Sequence, residues 1–113
     1  MRSLAATILV AAAVGCSLPR PAAPAQSTND PYRVRIHQYK FLPPRLVVPS
    51  GTRVTWVNED FDTHTATSGA AVEDFDSQDI RLQSTWSHTF TKAGEYPYLC
   101  VPHPGMKGII IVE

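Results

Sequence analysis

From residue 32 onward the chain is a series of short apolar runs of period two, and none carries a helical period. Val34 and Ile36 alternate with Arg33, Arg35 and His37, as in a strand with one buried face. Leu46-Val47-Val48 is bracketed by Pro43-Pro44 and by Pro49-Ser50-Gly51. Val54 and Trp56 alternate with Arg53 and Thr55 up to Asn58, and Trp86, His88 and Phe90 alternate with Ser87 and Thr89. Ala93-Gly94 turns the chain into a run from Tyr96 to Cys100. Gly108 opens Ile109-Ile110-Ile111-Val112, which is apolar on both faces and therefore expected at the centre of a sheet. Short strands separated by turn residues predict an all-β sandwich or barrel.

One stretch breaks the pattern. Residues 59–79 hold Glu59, Asp60, Asp62, Glu73, Asp74, Asp76 and Asp79, seven of the ten acidic residues, with no Lys or Arg. It reads as a long connection with one short strand or helical turn. Its acids are either a solvated loop or a docking patch for a basic partner.

The N-terminal segment is set apart by composition. Arg2 precedes an apolar run over residues 4–14 that is too short to span a bilayer. The run ends Ala13-Val14-Gly15-Cys16, which resembles the lipobox of a bacterial lipoprotein. On that resemblance residues 1–15 are a signal peptide, and Cys16 is the lipidated mature N-terminus. The alternative is an ordinary signal peptide cut near Ala23-Pro24-Ala25. Either predicts export from the cytoplasm, to the periplasm or the outer face of the membrane. Residues 16–31 then form a Pro/Ala-rich tether, and residues 32–113 the domain.

A domain of about eighty residues has a marginal core unless a metal, disulfide or partner assists. With Cys16 committed to lipid, Cys100 has no disulfide partner. Zero net charge on the whole chain disfavours nucleic-acid binding. A monomer is expected.

The chemistry gathers at Cys100-Val101-Pro102-His103-Pro104-Gly105-Met106. One loop offers a thiolate, an imidazole and a thioether, and His64 lies far upstream in Asp62-Thr63-His64-Thr65. Two His, one Cys and a weak axial Met form a ligand set that selects copper and supports one-electron transfer. Such a set leaves no open position for a substrate, which argues for a carrier and against an enzyme. Each residue also has a plainer reading: Cys100 as a buried thiol, His103 and Met106 as loop filler, His64 as a surface residue. Zinc could use the same donors, although structural zinc rarely takes Met. His37 is expected in solvent, and His88 partly buried with a hydrogen bond. Trp56 and Trp86 are expected in the core.

The segment GEYPYLCVPHPGMKGIIIVE resembles the C-terminal end of type I blue copper proteins, the cupredoxins. Its Cys-x2-His-x2-Met spacing is similar to that of the family's amicyanin members, whereas plastocyanin and pseudoazurin have longer loops between His and Met. FLPPRLVVPSGTRVTWVNEDFDTHT resembles the family's approach to its first His ligand. The resemblance implies an eight-stranded Greek-key sandwich with one copper at one end. His64, Cys100 and His103 would be the strong ligands and Met106 the long axial one. Asn58, Thr65 and Pro104 would support them, and His103 would be exposed within a collar of Pro102, Pro104 and Gly105. The family usually has Asn after the first His, where this chain has Thr65. The backbone N–H to the Cys sulfur can survive that change, and a Thr63 or Thr65 hydroxyl can replace the lost side-chain bond. The implied partners are a c-type cytochrome, a dehydrogenase or an oxidase. A cell-surface copper chaperone or store is the alternative, disfavoured because Met1 and Met106 are the only methionines. Paired His-x-His motifs of multicopper oxidases are absent.

Overall fold

The computed structural model describes residues 30–113. The signal segment, Cys16 and nearly all of the tether lie outside the described residues. Eight strands form two four-stranded sheets: β1 Arg33–His37, β2 Lys40–Leu42, β3 Arg45–Val48, β4 Thr52–Asn58, β5 Thr67–Ser68, β6 Thr85–Phe90, β7 Gly94–Cys100 and β8 His103–Val112. The strand orders are β2-β1-β4-β6 and β3-β8-β7-β5. β1 runs parallel to β4 and β3 parallel to β8, and the remaining pairs are antiparallel. No helix occurs among the described residues.

The alternating residues meet between the sheets. Val34, Ile36, Val54, Trp56, Phe90, Tyr96, Ile110 and Val112 are all buried. Trp56 lies at the centre, with ring centroids of Trp86, Tyr98, Phe75 and Phe90 between 5.4 and 6.2 Å away. Burying aromatic rings of this size removes the most apolar area per residue, which a core of so few residues requires.

Several sequence expectations are corrected. β4 is buried from Val54 to Asn58 on both faces: it lies between β1 and β6, with Arg33 and Ser87 beside Thr55 and Arg35 and Thr85 beside Val57. Thr55 is accommodated there by a 2.7 Å bond to Ser87 across the ladder. β8 begins at His103, five residues before Gly108, so most of the expected ligand loop is strand. His88 makes no side-chain hydrogen bond among the described residues. It stacks instead on Phe75 and Trp86 at 5.5 and 5.6 Å. β2 was not anticipated at all, and His37 is half-buried, 3.8 Å from the Glu59 carboxylate.

Candidate metal centre

The site is assembled at one end of the sandwich by the ends of β4, β7 and β8. Asn58 closes β4 and is fully buried. Its side-chain amide donates to the carbonyls of Asp62 and Ile80, each at 2.8 Å, and its side-chain carbonyl accepts from the Asp60 N–H. These bonds curl the following segment back, and a two-bond bridge to Ile80 holds His64 in place. His64 is completely shielded from solvent. Cys100, also fully buried, ends β7 and pairs with His103 across a register shift at the start of β8. The turn between them is two residues long, so thiol and imidazole hang from facing strands.

The Cys100 Sγ lies 3.6 Å from His64 Nδ1 and 3.5 Å from His103 Nδ1. The three donor atoms all lie within 4.8 Å of one another. Bonds of about 2.0 Å to nitrogen and 2.3 Å to sulfur place such donors roughly 3.5–3.7 Å apart around one ion. These separations therefore fit a single metal. No carboxylate belongs to the cluster, and a thiolate with two neutral imidazoles is a soft to borderline set suited to copper. Met106, 6% exposed, is buried three residues beyond His103 on β8. Pro102, Pro104 and Gly105 stand exposed around the half-buried His103.

The sulfur is tied to the first histidine segment. The Thr65 N–H donates to Sγ at 3.4 Å, and the Thr65 hydroxyl accepts the Val101 N–H at 2.9 Å. Thr67 spends its hydroxyl proton on Asp76, so the Thr65 hydroxyl donates in turn to Thr67 Oγ1 at 3.0 Å. A short relay of hydroxyls thus locks the His64 and Cys100 segments together where the family's Asn is missing.

Sequence reasoning overlooked Asp60 and Tyr39. Asp60 Oδ2 bonds His64 Nε2 at 2.8 Å, which makes Nε2 the donor and leaves Nδ1 free to face the sulfur. The Asp60 carboxylate also accepts the backbone N–H groups of Gln38 and Tyr39 at 2.7 and 3.0 Å. Burial pushes its pKa up, but those two N–H groups and the His64 ring outweigh it and hold the carboxyl below its ordinary value. The only sequence trace of this residue was its position four before His64. Glu59 is spent on Arg35, 2.7 Å away, and its pKa is lowered chiefly by that hydrogen bond.

The family described as copper binding proteins, plastocyanin/azurin family, matches residues 30–113, the whole described domain. The chain belongs to this family. It is a blue copper protein with one type I copper, an electron carrier and not an enzyme. Its cupredoxin fold is that of amicyanin: a copper(I) form of an amicyanin variant superposes with a TM-score of 0.68 at 36% identity, over 72% of this chain and 80% of that one. Amicyanin-alpha of Methylorubrum extorquens is 39% identical over 94 residues, 80% of this chain and 76% of the relative. Plastocyanin of Scenedesmus fuscus is 36% identical over 84 residues, 65% of this chain and 86% of the relative. A copper-containing nitrite reductase from Thermus scotoductus contains a similar unit, with a TM-score of 0.70 at 36% identity over 81% of this chain but 24% of that longer one.

Proposed function

We propose that His64, Cys100, His103 and Met106 hold the copper of this cupredoxin, and that the protein carries single electrons between larger redox proteins outside the cytoplasm. The observation that supports the ligand set is the convergence of one sulfur and two Nδ1 atoms within 4.8 Å. When bound there, copper supplies a one-electron couple between its one-plus and two-plus states. The chain's own residues do the rest. The Asn58 amide and the Ile80 bridge hold His64 rigidly, so little can rearrange when charge changes. The Thr65 N–H withdraws electron density from the Cys100 sulfur. Full burial of Cys100 and His64 keeps water from the sulfur, and the half-exposed edge of His103 is the approach for a partner.

Cys16 would anchor the mature protein by lipid, with residues 16–31 as tether. The partners that suit it are a c-type cytochrome, a dehydrogenase or an oxidase. The full chain, loaded with copper(II), is expected to show an intense thiolate-to-copper band and a narrow copper hyperfine splitting. Cys100→Ser is expected to abolish both. A pale complex from the unaltered protein would overturn the ligand set. Fractionation of the producing cells tests the anchor: Cys16→Ala should move the protein from the membrane to the soluble extracytoplasmic fraction, and no movement would remove Cys16 from that role.

A further inference from the structure

His64 and His103 are secured very differently. His64 is fully buried and bonded through Nε2 to Asp60. His103 is half-exposed, and among the described residues its imidazole bonds nothing except the Cys100 sulfur. A metal-binding histidine normally has its second nitrogen fixed by a carboxylate, a carbonyl or water. Among the described residues no protein acceptor takes that part for His103; what lies against its imidazole is a ring. The Tyr39 centroid lies 5.0 Å from that of His103 at an interplanar angle of 84°, and 5.2 Å from that of His64 at 89°. One phenol thus sits edge-on against both imidazoles, whose own centroids are 5.1 Å apart.

Tyr39 is placed there by an unusual turn. Gln38 and Tyr39 join β1 to β2 with φ of 51° and 60°. This two-residue hairpin ordinarily calls for Asn and Gly, since side chains resist the left-handed region. The Asp60 carboxylate accepts both N–H groups of the turn, and the Tyr39 hydroxyl bonds Asp62. Local backbone preference alone would not choose this conformation. The contacts that hold it come from the segment leading to His64.

We propose that Tyr39 is a positioning residue of the copper centre, its ring held by Asp60 and Asp62 so that it immobilises the exposed ligand His103 against His64. This rests on the reading of both histidines as ligands. The ring takes the part that a hydrogen bond plays for His64, and it limits how far His103 can swing when the metal leaves.

Tyr39→Gly gives the cleanest test, because glycine suits the left-handed backbone and only the ring is lost. Tyr39→Asn serves in its place should the glycine variant not fold, since Asn also tolerates that region. Tyr39→Phe keeps the ring and loses only the Asp62 bond. In the copper-free full chain, nuclear magnetic relaxation of the two imidazoles is expected to show His103 mobile in Tyr39→Gly and His64 unchanged. In the loaded protein, copper should leave about tenfold faster or more, and the hyperfine splitting should broaden. Tyr39→Phe, which keeps the ring but frees it from Asp62, should fall between Tyr39→Gly and the unaltered protein. Equal order of His103 and equal copper release in Tyr39→Gly would overturn the proposal, as would a change confined to melting temperature. If the unaltered protein itself formed no type I centre, the ligand reading would fall instead, and the two failures are thereby distinct.

Discussion

At Thr65 the backbone N–H reaches the Cys100 sulfur while the side-chain hydroxyl receives the N–H of Val101. Thr65→Ala keeps the first bond and removes the acceptor of the second, at a part-buried position beside the exposed Val101. The expected loss is about 0.5–1.5 kcal/mol in denaturant unfolding, with Thr65→Ser restoring most of it. A Thr65→Ala protein as stable as the parent would show that water replaces the hydroxyl. At Met106 the expected change is electronic. Met106→Gln should retain copper and blue colour while lowering the reduction potential, because an oxygen donor favours copper(II). Voltammetry checks it, and an unmoved potential would place Met106 outside the coordination sphere. Both residues could be singled out from sequence, by position next to His64 and by spacing from His103. Asp60 and Tyr39 could not be. Their role depends on a turn that only long-range contacts stabilise, and nothing in Gln38-Tyr39 signals a hairpin.

Among the strands, the legible ones were those with one buried face and clear turn residues at both ends, such as β1 and β6. β2 escaped notice because it is three residues long and follows a turn without Gly or Asn. β4 looked half-buried because Thr55 and Arg53 are polar, yet Thr55 is buried on the outer face, bonded to Ser87. The start of β8 was hidden by Pro102 and Pro104, which read as turn formers. β7 and β8 are also tightly fitted. A Cβ at Gly108 would come within 2.4 Å of the buried Tyr98 ring. Gly108→Ala should therefore cost about 1–3 kcal/mol in thermal or chemical unfolding, and a neutral result would mean the ring can yield. On β6, burial depresses the His88 pKa, with Glu73 opposing. The folded state then binds fewer protons there than the unfolded chain. Stability is expected to fall as pH drops through about 6.5 and to level off below the folded-state pKa. Urea unfolding of the copper-free protein from pH 8 to 5 measures this, and His88→Phe should flatten that part of the curve. Glu59 and Asp60, whose pKa values are lowered, add a second loss as pH falls below about 4.

For the molecule as a whole, eight Lys and Arg against ten Asp and Glu from residue 26 onward leave a slight negative charge. The clustered acids are not one patch. Glu59 is consumed by Arg35, Asp60 by the Tyr39 turn and His64, and Asp62 by the Tyr39 hydroxyl, which leaves Glu73, Asp74, Asp76 and Asp79 as the exposed group. Association with a basic redox partner is expected to slow as ionic strength rises. Reversing Glu73 and Asp79 to Lys should weaken that dependence, and reversing Glu59 should matter less. Stopped-flow rates across salt concentration decide it, and a flat profile would remove electrostatic docking.

β8 carries His103 at one end and Val112 at the other, a run of ten residues or about 30 Å. Glu113 is then clipped to the β3 end by bonds with Val48 and Ser50. Anything fused or surface-grafted at that terminus is fixed to the pole remote from the copper. A C-terminal thiol on a gold electrode would present the His103 face outward, accessible to a dissolved partner and poorly wired to the metal beneath.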